Sequence, residues 1–195
     1  MACDAVCSYV TSCVSPSAAA TARGVAINAM HIRPERSGDV VGISSLIARA
    51  FASAPHSNGF EQSIVLGLRE AGALTVSLVA EEANSLVGHV AFSPVSVTDG
   101  SRSWFGLGPV AVEPSRQKLG IGSALINEGL RRLRDLGAAG CVVLGEPEYY
   151  GRFGFSHHPG LQYPGPPPEY FLASSFGGPL PKGEVVFHAS FLAGT

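Results

Sequence analysis

The segment from Val110 to Ser123 restricts this chain more than any other part of it. A β-branched run, Val110-Ala111-Val112, stops at Pro114. A tight turn comes next, and Gly120-Ile121-Gly122 opens onto a helix whose apolar positions Ile121, Leu125, Ile126, Leu130, Leu133 and Leu136 recur at three and four. Gly137 stops that helix. Glycines at a helix start leave the backbone bare, so several unpaired amide N–H groups can converge on an anion that the helix dipole also favours. That geometry suits a pyrophosphate, and Arg116, Gln117 and Lys118 flank the turn where they can add charge or hydrogen bonds to phosphate oxygens.

The residues after the glycines disfavour two phosphate ligands. A Walker loop needs Gly-Lys-Ser/Thr, whereas Gly122 is succeeded by Ser123-Ala124. A dinucleotide fingerprint needs a third small residue where this chain has Leu125, and an acid at the end of the next strand, which here ends in Leu144-Gly145.

The remaining signals fit one mixed α/β domain. The chain has 195 residues, enough for a core without disulfide or metal support, and its 46% hydrophobic and 14% charged composition excludes disorder over most of it. A net charge of -2 gives no field toward nucleic acid or anionic lipid, and no apolar stretch reaches the length of a membrane helix. We therefore expect a cytoplasmic protein with neither nucleic acid nor membrane as partner. Cys3, Cys7 and Cys13 crowd together and Cys141 stands alone, which is neither a disulfide framework nor a zinc pattern, so no metal is expected.

Residues 1–29 carry no helical or strand period and precede Met30, so they are expected to lie outside the domain, as a disordered extension or through an upstream start codon. Residues 30–195 are expected to form the domain. His31-Ile32-Arg33-Pro34 reads as a strand. Asp39 is placed to cap a helix carrying Val40, Ile43, Leu46, Ile47 and Phe51, and a second helix is expected between Asn58 and Gly72 with Glu61, Ile64, Leu66 and Leu68. Leu74 to Ala80 and Leu86 to Val97 make an antiparallel hairpin around Glu82-Ala83-Asn84-Ser85. Trp104 to Val112 and Cys141 to Leu144 are strands on either side of the long helix, and a brief helix is expected around Glu148 to Arg152. Prolines at 159, 164, 166, 167, 168, 179 and 181 keep the next region irregular, and Glu184 to Phe191 reads as the last strand.

Three motifs in order carry a resemblance. Gln117-Lys118-Leu119-Gly120-Ile121-Gly122 matches the Q/R-x-x-G-x-G/A signature of the GNAT acetyltransferases. Leu107 to Pro114 before it and Leu144 to Phe155 after it resemble the branch called YhbS-like. The resemblance implies a central, mostly antiparallel sheet, flanked by helices, whose fourth and fifth strands splay to admit the pantetheine of acetyl-CoA. It places the cofactor along Val110, Ala111 and Val112, with the backbone groups of Val110 and Val112 pairing to the pantetheine amides, and puts the pyrophosphate on the amides from Leu119 to Ser123 beside Gln117 and Lys118. Gly106 and Gly108 suit a bulge in the splayed strand. It implies an N-acetyltransferase acting on a primary amine of a small molecule or protein, by direct attack in a ternary complex. Homodimers are common in the family, and no residue here demonstrates one.

Tyr150 stands five residues before Phe155, where many members keep the general acid that protonates the departing thiolate, and it is the candidate catalytic residue. Its neighbour Tyr149 reads as a packing residue. Among Glu61, Glu81, Glu82, Glu113 and Glu146 no base stands out, although Glu61 is the least arbitrary because the second helix usually borders the acceptor in this family. His157 and His158 point to opposite faces of a strand and read as surface residues. Where the broader pattern has Asn, this chain has Glu146-Pro147. Two alternatives stay open: an acyl-CoA-binding or sensing module without turnover, and an adaptor using its tyrosines and proline-rich tail.

Overall fold

The computed structural model describes residues 30–52 and 59–192. The expectation for residues 1–29 therefore lies outside the described residues. Among those described, nine strands and four α-helices occur in order: β1 (His31–Pro34), α1 (Val40–Phe51), α2 (Glu61–Glu70), β2 (Val76–Glu82), β3 (Ser85–Val97), β4 (Trp104–Val112), α3 (Ile121–Asp135), β5 (Gly140–Leu144), α4 (Pro147–Tyr150), β6 (Ser156–His157), β7 (Leu161–Gln162), β8 (Phe171–Ser175) and β9 (Gly183–Val186). The main sheet runs β1-β2-β3-β4-β5-β8-β6. All of its pairs are antiparallel except β4–β5.

Local sequence explains most of these elements. Ala83 and Asn84 both take positive φ, 48° and 61°, as the two-residue hairpin between β2 and β3 demands. At the end of α3, Gly137 takes φ 75° and Ala138 N–H donates to Leu133 O at 3.0 Å, closing a Schellman-type cap. Leu136 lies outside the buried stripe and is exposed. Asp39 precedes α1 without capping it through its side chain. Its carboxylate accepts instead from Arg33 and from Arg36 N–H at 2.7 Å, tying β1 to the turn before the helix. In α2 the buried positions are Glu61, Ile64, Val65 and Leu68, so Val65 and not Leu66 faces the core.

The sheet separates two layers. On one face α3 packs Leu125, Ile126, Leu130 and Leu133 against Val90, Phe92, Leu107, Cys141 and Val143. Gly129 is required there because the Phe92 ring fills the space a Cβ would occupy. On the other face α1 and α2 cover Val79, Ala91 and Ala111, and the C-terminal segments cover Val95, Val97, Val142 and Leu144. The last strand is shorter than expected. β9 ends at Val186, pairing with β3 and β7, and residues 189–192 form a 3-10 turn whose Ser190 N–H donates to His188 Nδ1 at 3.2 Å.

A polar network pins α2 to the sheet from within. His89 on β3 is fully buried, with Nε2 at 2.9 Å from Ser77 Oγ, which lies 2.5 Å from Glu35 Oε2. Arg69 of α2 donates to both Glu35 oxygens at 2.9 Å. The single Ser77 proton must go to the carboxylate, which can only accept, so Ser77 accepts from His89 Nε2–H, while Nδ1 has no partner among the described residues, which suits a neutral ring. Burial lowers the His89 pKa from its ordinary 6.5, against the opposing pull of Glu35. Burial alone would raise Glu35, but the nearby His89 ring, 3.8 Å away, and hydrogen bonds from Arg69 and Ser77 outweigh it and hold the carboxyl well below its ordinary 4.5. Both depressed groups bind protons more readily when unfolded, so both contribute stability above their unfolded pKa and lose it as pH falls. The melting temperature should decline from near pH 6.5 downward and more steeply below 4.5. In His89→Gln, whose amide can still donate to Ser77, the decline between those values should flatten in scanning calorimetry. An unchanged slope would remove His89 from the account.

Candidate active site

β4 and β5 run side by side only at Trp104–Gly140, Phe105–Cys141 and Gly106–Val142. Beyond that point they part. Val143 and Leu144 of β5 pair with Leu172 and Phe171 of β8, while β4 stays with β3. The departure coincides with a bulge in β4, where Val90 and Phe92 of β3 face Val110 and Leu107 and the extra residue falls at Gly108-Pro109. Gly108 takes φ 145° there, which glycine alone adopts freely. Gly106 has a different role: its missing Cβ makes room for the Phe187 ring.

Backbone alternation shows which β4 groups face the gap. Glu113 N–H donates to Val87 O on β3 at 3.0 Å, so the amide two residues earlier, at Ala111, also faces β3. Val110 and Val112 thereby direct their N–H and C=O groups to the side that β5 has vacated. The Ala111 side chain is buried under α1. One gap-facing group is engaged, since Gln117 Nε2 donates to Val112 O at 3.2 Å.

The strand then enters a 3-10 turn, Pro114–Arg116, and reaches α3 through Lys118 (φ 63°) and Gly120 (φ 85°). Among the described residues no side chain caps α3. Its first-turn amides, from Ile121, Gly122 and Ser123, have no carbonyl of their own helix to bond and stand at its positive end. A Cβ on Gly120 would meet nothing within 4 Å, so the turn is open on that side of the helix start. Lys118 and Leu119 are exposed beside it, and the Ile121 side chain is buried, leaving only its backbone to the turn. Arg116 leaves the turn for an ion pair with Glu82 on β2.

Across the gap stand α4 and a 3-10 turn, Gly151–Phe153. The adjacent tyrosines diverge. Tyr149 is buried, with its hydroxyl beside Ser123 and 3.3 Å from where a Cβ on Gly122 would sit. Burial raises its pKa, with Ser123 and Arg152 opposing the rise. The Arg152 guanidinium lies 4.5 Å above the Tyr149 ring and its Nε donates to Tyr149 O at 2.9 Å. Tyr149 thus packs as the sequence suggests, but it also ties α4 to the start of α3, a link for which the sequence holds no signal. Tyr150 is half-buried against the wall that continues β5. Its ring covers Gly145 so closely that any Cβ there would overlap it, and Phe155 meets it edge-on at 6.0 Å between centroids.

The candidate bases separate. Glu81, Glu82 and Glu113 are ion-paired to Arg33, Arg116 and Arg49. Glu146 stands at the N-cap of α4, where its backbone oxygen accepts from Tyr149 and Tyr150 N–H. Glu61 is buried, and its Oε1 has no hydrogen-bond partner among the described residues. Burial pushes the Cys141 thiol far above its ordinary range, which leaves it inert as a nucleophile. His157 and His158 lie at the edge strand β6, bonded to Phe171 O and Ser156 Oγ respectively. Among the described residues no cluster of three His, Cys, Asp or Glu side chains is placed to hold a metal ion, and no helix is long and apolar enough to cross a membrane.

Comparison with known proteins gives this architecture its relatives. Over 133 residues, 66% of this chain and 77% of its relative, the sequence is 41% identical to the uncharacterized N-acetyltransferase YhbS of Escherichia coli K12. The fold is similar to the crystal structure of a GNAT family acetyltransferase from Brucella melitensis in complex with acetyl-CoA. That match has a TM-score of 0.76 and 47% identity and covers 84% of this chain and 99% of that one. It is similar also to E. coli YhbS in complex with CoA, with a TM-score of 0.76 and 34% identity, over 88% of this chain and 96% of the other. Residues 38–155, from the turn before α1 to the end of the tyrosine motif, match the acetyltransferase (GNAT) family. Parted parallel strands, a glycine turn onto an uncapped helix and this sequence match lead to one conclusion: the chain belongs to the GNAT acetyltransferase family.

Proposed function

We propose that this protein transfers the acetyl group of acetyl-CoA to a primary amine of a small molecule or protein, by direct attack in a ternary complex. The observation that carries the reading is the gap between β4 and β5, which leads from two outward-facing backbone positions to the open amides of α3. Val110 and Val112 would pair with the pantetheine amides as a neighbouring strand does. Gln117 does not preclude this, because the Val112 carbonyl has a second lone pair. The amides from Leu119 to Ser123 would hold the pyrophosphate, with Lys118 adding charge from solvent. Two family relatives whose structures contain acetyl-CoA and CoA support this ligand.

Tyr150 is the proposed general acid. Its ring is held against Gly145 at the end of β5, on the wall of the gap, where its hydroxyl can protonate the departing thiolate while the amine forms the C–N bond. Residues 30–195 form the functional domain, and residues 1–29 are not needed for the reaction. Titration calorimetry of acetyl-CoA, CoA and ATP into the full chain tests the reading. Micromolar binding of both CoA species with ATP silent is expected, and absence of acetyl-CoA binding would withdraw the acetyltransferase function.

A further inference from the structure

The gap between β4 and β5 has a closed end, and its two faces are covered differently. The strands make their last shared pair at Gly106 and Val142. With the pyrophosphate on the α3 amides and the pantetheine along Val112 and Val110, the thioester reaches back along β4 toward that pair. On the α3 face, Leu107, Cys141 and Val143 are buried beneath the helix. An acceptor therefore has to approach from the opposite face.

Aromatic rings stand there. Phe187 Cε1 lies 2.5 Å from where a Cβ on Gly106 would sit, so the ring rests on the β4 backbone at the point where the strands part. Phe187 is half-buried, Tyr163 meets it edge-on at 5.0 Å between centroids, and Phe191 follows at 5.1 Å. The buried Phe171 of β8 backs Tyr163 at 5.6 Å. The segment carrying these rings is anchored to α2, where Ser190 fills the space left by the missing Cβ of Gly67. Below them the sheet is shallow: Ser93, Gly106, Val142 and Ala173 form one row across β3, β4, β5 and β8. Ser93 is 0% exposed and its Oγ has no hydrogen-bond partner among the described residues, so this row lacks one polar partner that a ligand can bring.

Charge narrows the ligand further. From Leu161 to Thr195 the sequence holds one Lys and no Arg. Lys182 precedes β9, at the opposite end of that strand from Phe187, and its backbone N–H donates to Asp99. On the α1 and α2 side, Arg49 and Arg69 are already paired with Glu113 and Glu35. A carboxylate or phosphate brought beside the rings would be desolvated without a Lys or Arg to meet it, whereas an apolar body would gain from the contact.

We propose that Phe187, with Tyr163 and Phe191, selects the acceptor, a primary amine borne on an aromatic or apolar body without an anionic group, laid against this wall with its nitrogen turned to the closed end of the gap. The inference rests on the acetyltransferase reading above and names its substrate class. The rings hold the acceptor's carbon skeleton and take no part in the bond changes.

The test follows thiol release by the full chain at saturating acetyl-CoA with three probes. These are 2-phenylethylamine, phenylalanine, which adds a carboxylate to it, and 2-aminoethanol, which lacks the ring. 2-Phenylethylamine should exceed each of the others at least tenfold in kcat/KM. Phe187→Ala should lower its kcat/KM at least tenfold, chiefly through KM, and shrink its lead over 2-aminoethanol in proportion, with acetyl-CoA affinity unchanged. Phe187→Tyr should restore most of the preference. If Phe187→Ala does not fold, Phe187→Leu, which keeps an apolar side chain without a ring, carries the same comparison. A ring that only packs predicts a lower melting temperature with the preference intact. That result would overturn the inference, as would a wild type that binds acetyl-CoA but shows no preference among the probes or turns over none of them, and in each case the acetyltransferase reading would stand. Failure of the wild type to bind acetyl-CoA would overturn both.

Discussion

Gly120→Glu should bind acetyl-CoA at least about a hundredfold more weakly than the wild type while remaining folded. Two consequences of the substitution can be separated by magnitude. An L-residue at φ 85° is strained by roughly 1–2 kcal/mol, which lowers the melting temperature by a few degrees in a domain of this size. Because nothing lies within 4 Å of the new Cβ, no steric clash is added to that strain. The larger effect is electrostatic. The carboxylate would stand before the uncapped amides of α3, where a pyrophosphate is to dock. Two like charges about 4 Å apart at an effective dielectric near 20 repel by roughly 4 kcal/mol, more than the ~2.7 kcal/mol of a hundredfold change. Gly120→Ala is the control, since it carries the backbone strain without the charge and should keep most of the affinity. Calorimetry on both variants decides: equal affinities would mean that the phosphates dock elsewhere.

Gly120 was legible in the sequence because the need it meets is local, a left-handed residue beside a bare helix start. The fates of its neighbours were not. Arg116 turns away to Glu82 and Gln117 turns back to Val112 O, and nothing in the spacing of 116 and 82 announces an ion pair formed only once β2 and the turn are assembled. The same divide runs through the fold. Periodic helices and the Ala83-Asn84 hairpin could be read directly, whereas β8, which lies between β5 and β6 in the sheet, could not. Phe171-Leu172-Ala173-Ser174 is buried on both faces, so it shows no alternation, and the prolines before it mask a run so short. Glu61 was singled out among the carboxylates, but its burial was not legible. Its spacing to Ile64, Val65 and Leu68 puts it on the buried face, but choosing Leu66 over Val65 rotates the stripe and turns Glu61 into an ordinary surface acid.

Tyr150→Phe should lower kcat on the order of a hundredfold and leave acetyl-CoA affinity within about twofold of the wild type. The ring contacts that position the residue, over Gly145 and edge-on to Phe155, survive in phenylalanine, so the melting temperature should stay within a few degrees. Only the proton donor is lost. Tyr149→Phe is the discriminating partner experiment. Its hydroxyl lies beside Ser123 and Gly122 at the start of α3, and losing a polar contact there costs up to about 1 kcal/mol. That loss should appear as a several-fold weaker acetyl-CoA affinity and a lower melting temperature, with kcat at saturation little changed. The two adjacent tyrosines therefore predict opposite splits between kcat and binding, measurable by thiol release at saturating and limiting acetyl-CoA. If Tyr150→Phe turned over as fast as the wild type, the thiolate would be leaving without help from this hydroxyl. The closeness of its ring to Gly145 would then serve packing alone. If the effects were exchanged between the two variants, the acid would be Tyr149, protonating the thiolate from beside Ser123, and the pantetheine would have to thread the gap nearer to α3 than the open edge of Val110 and Val112 implies.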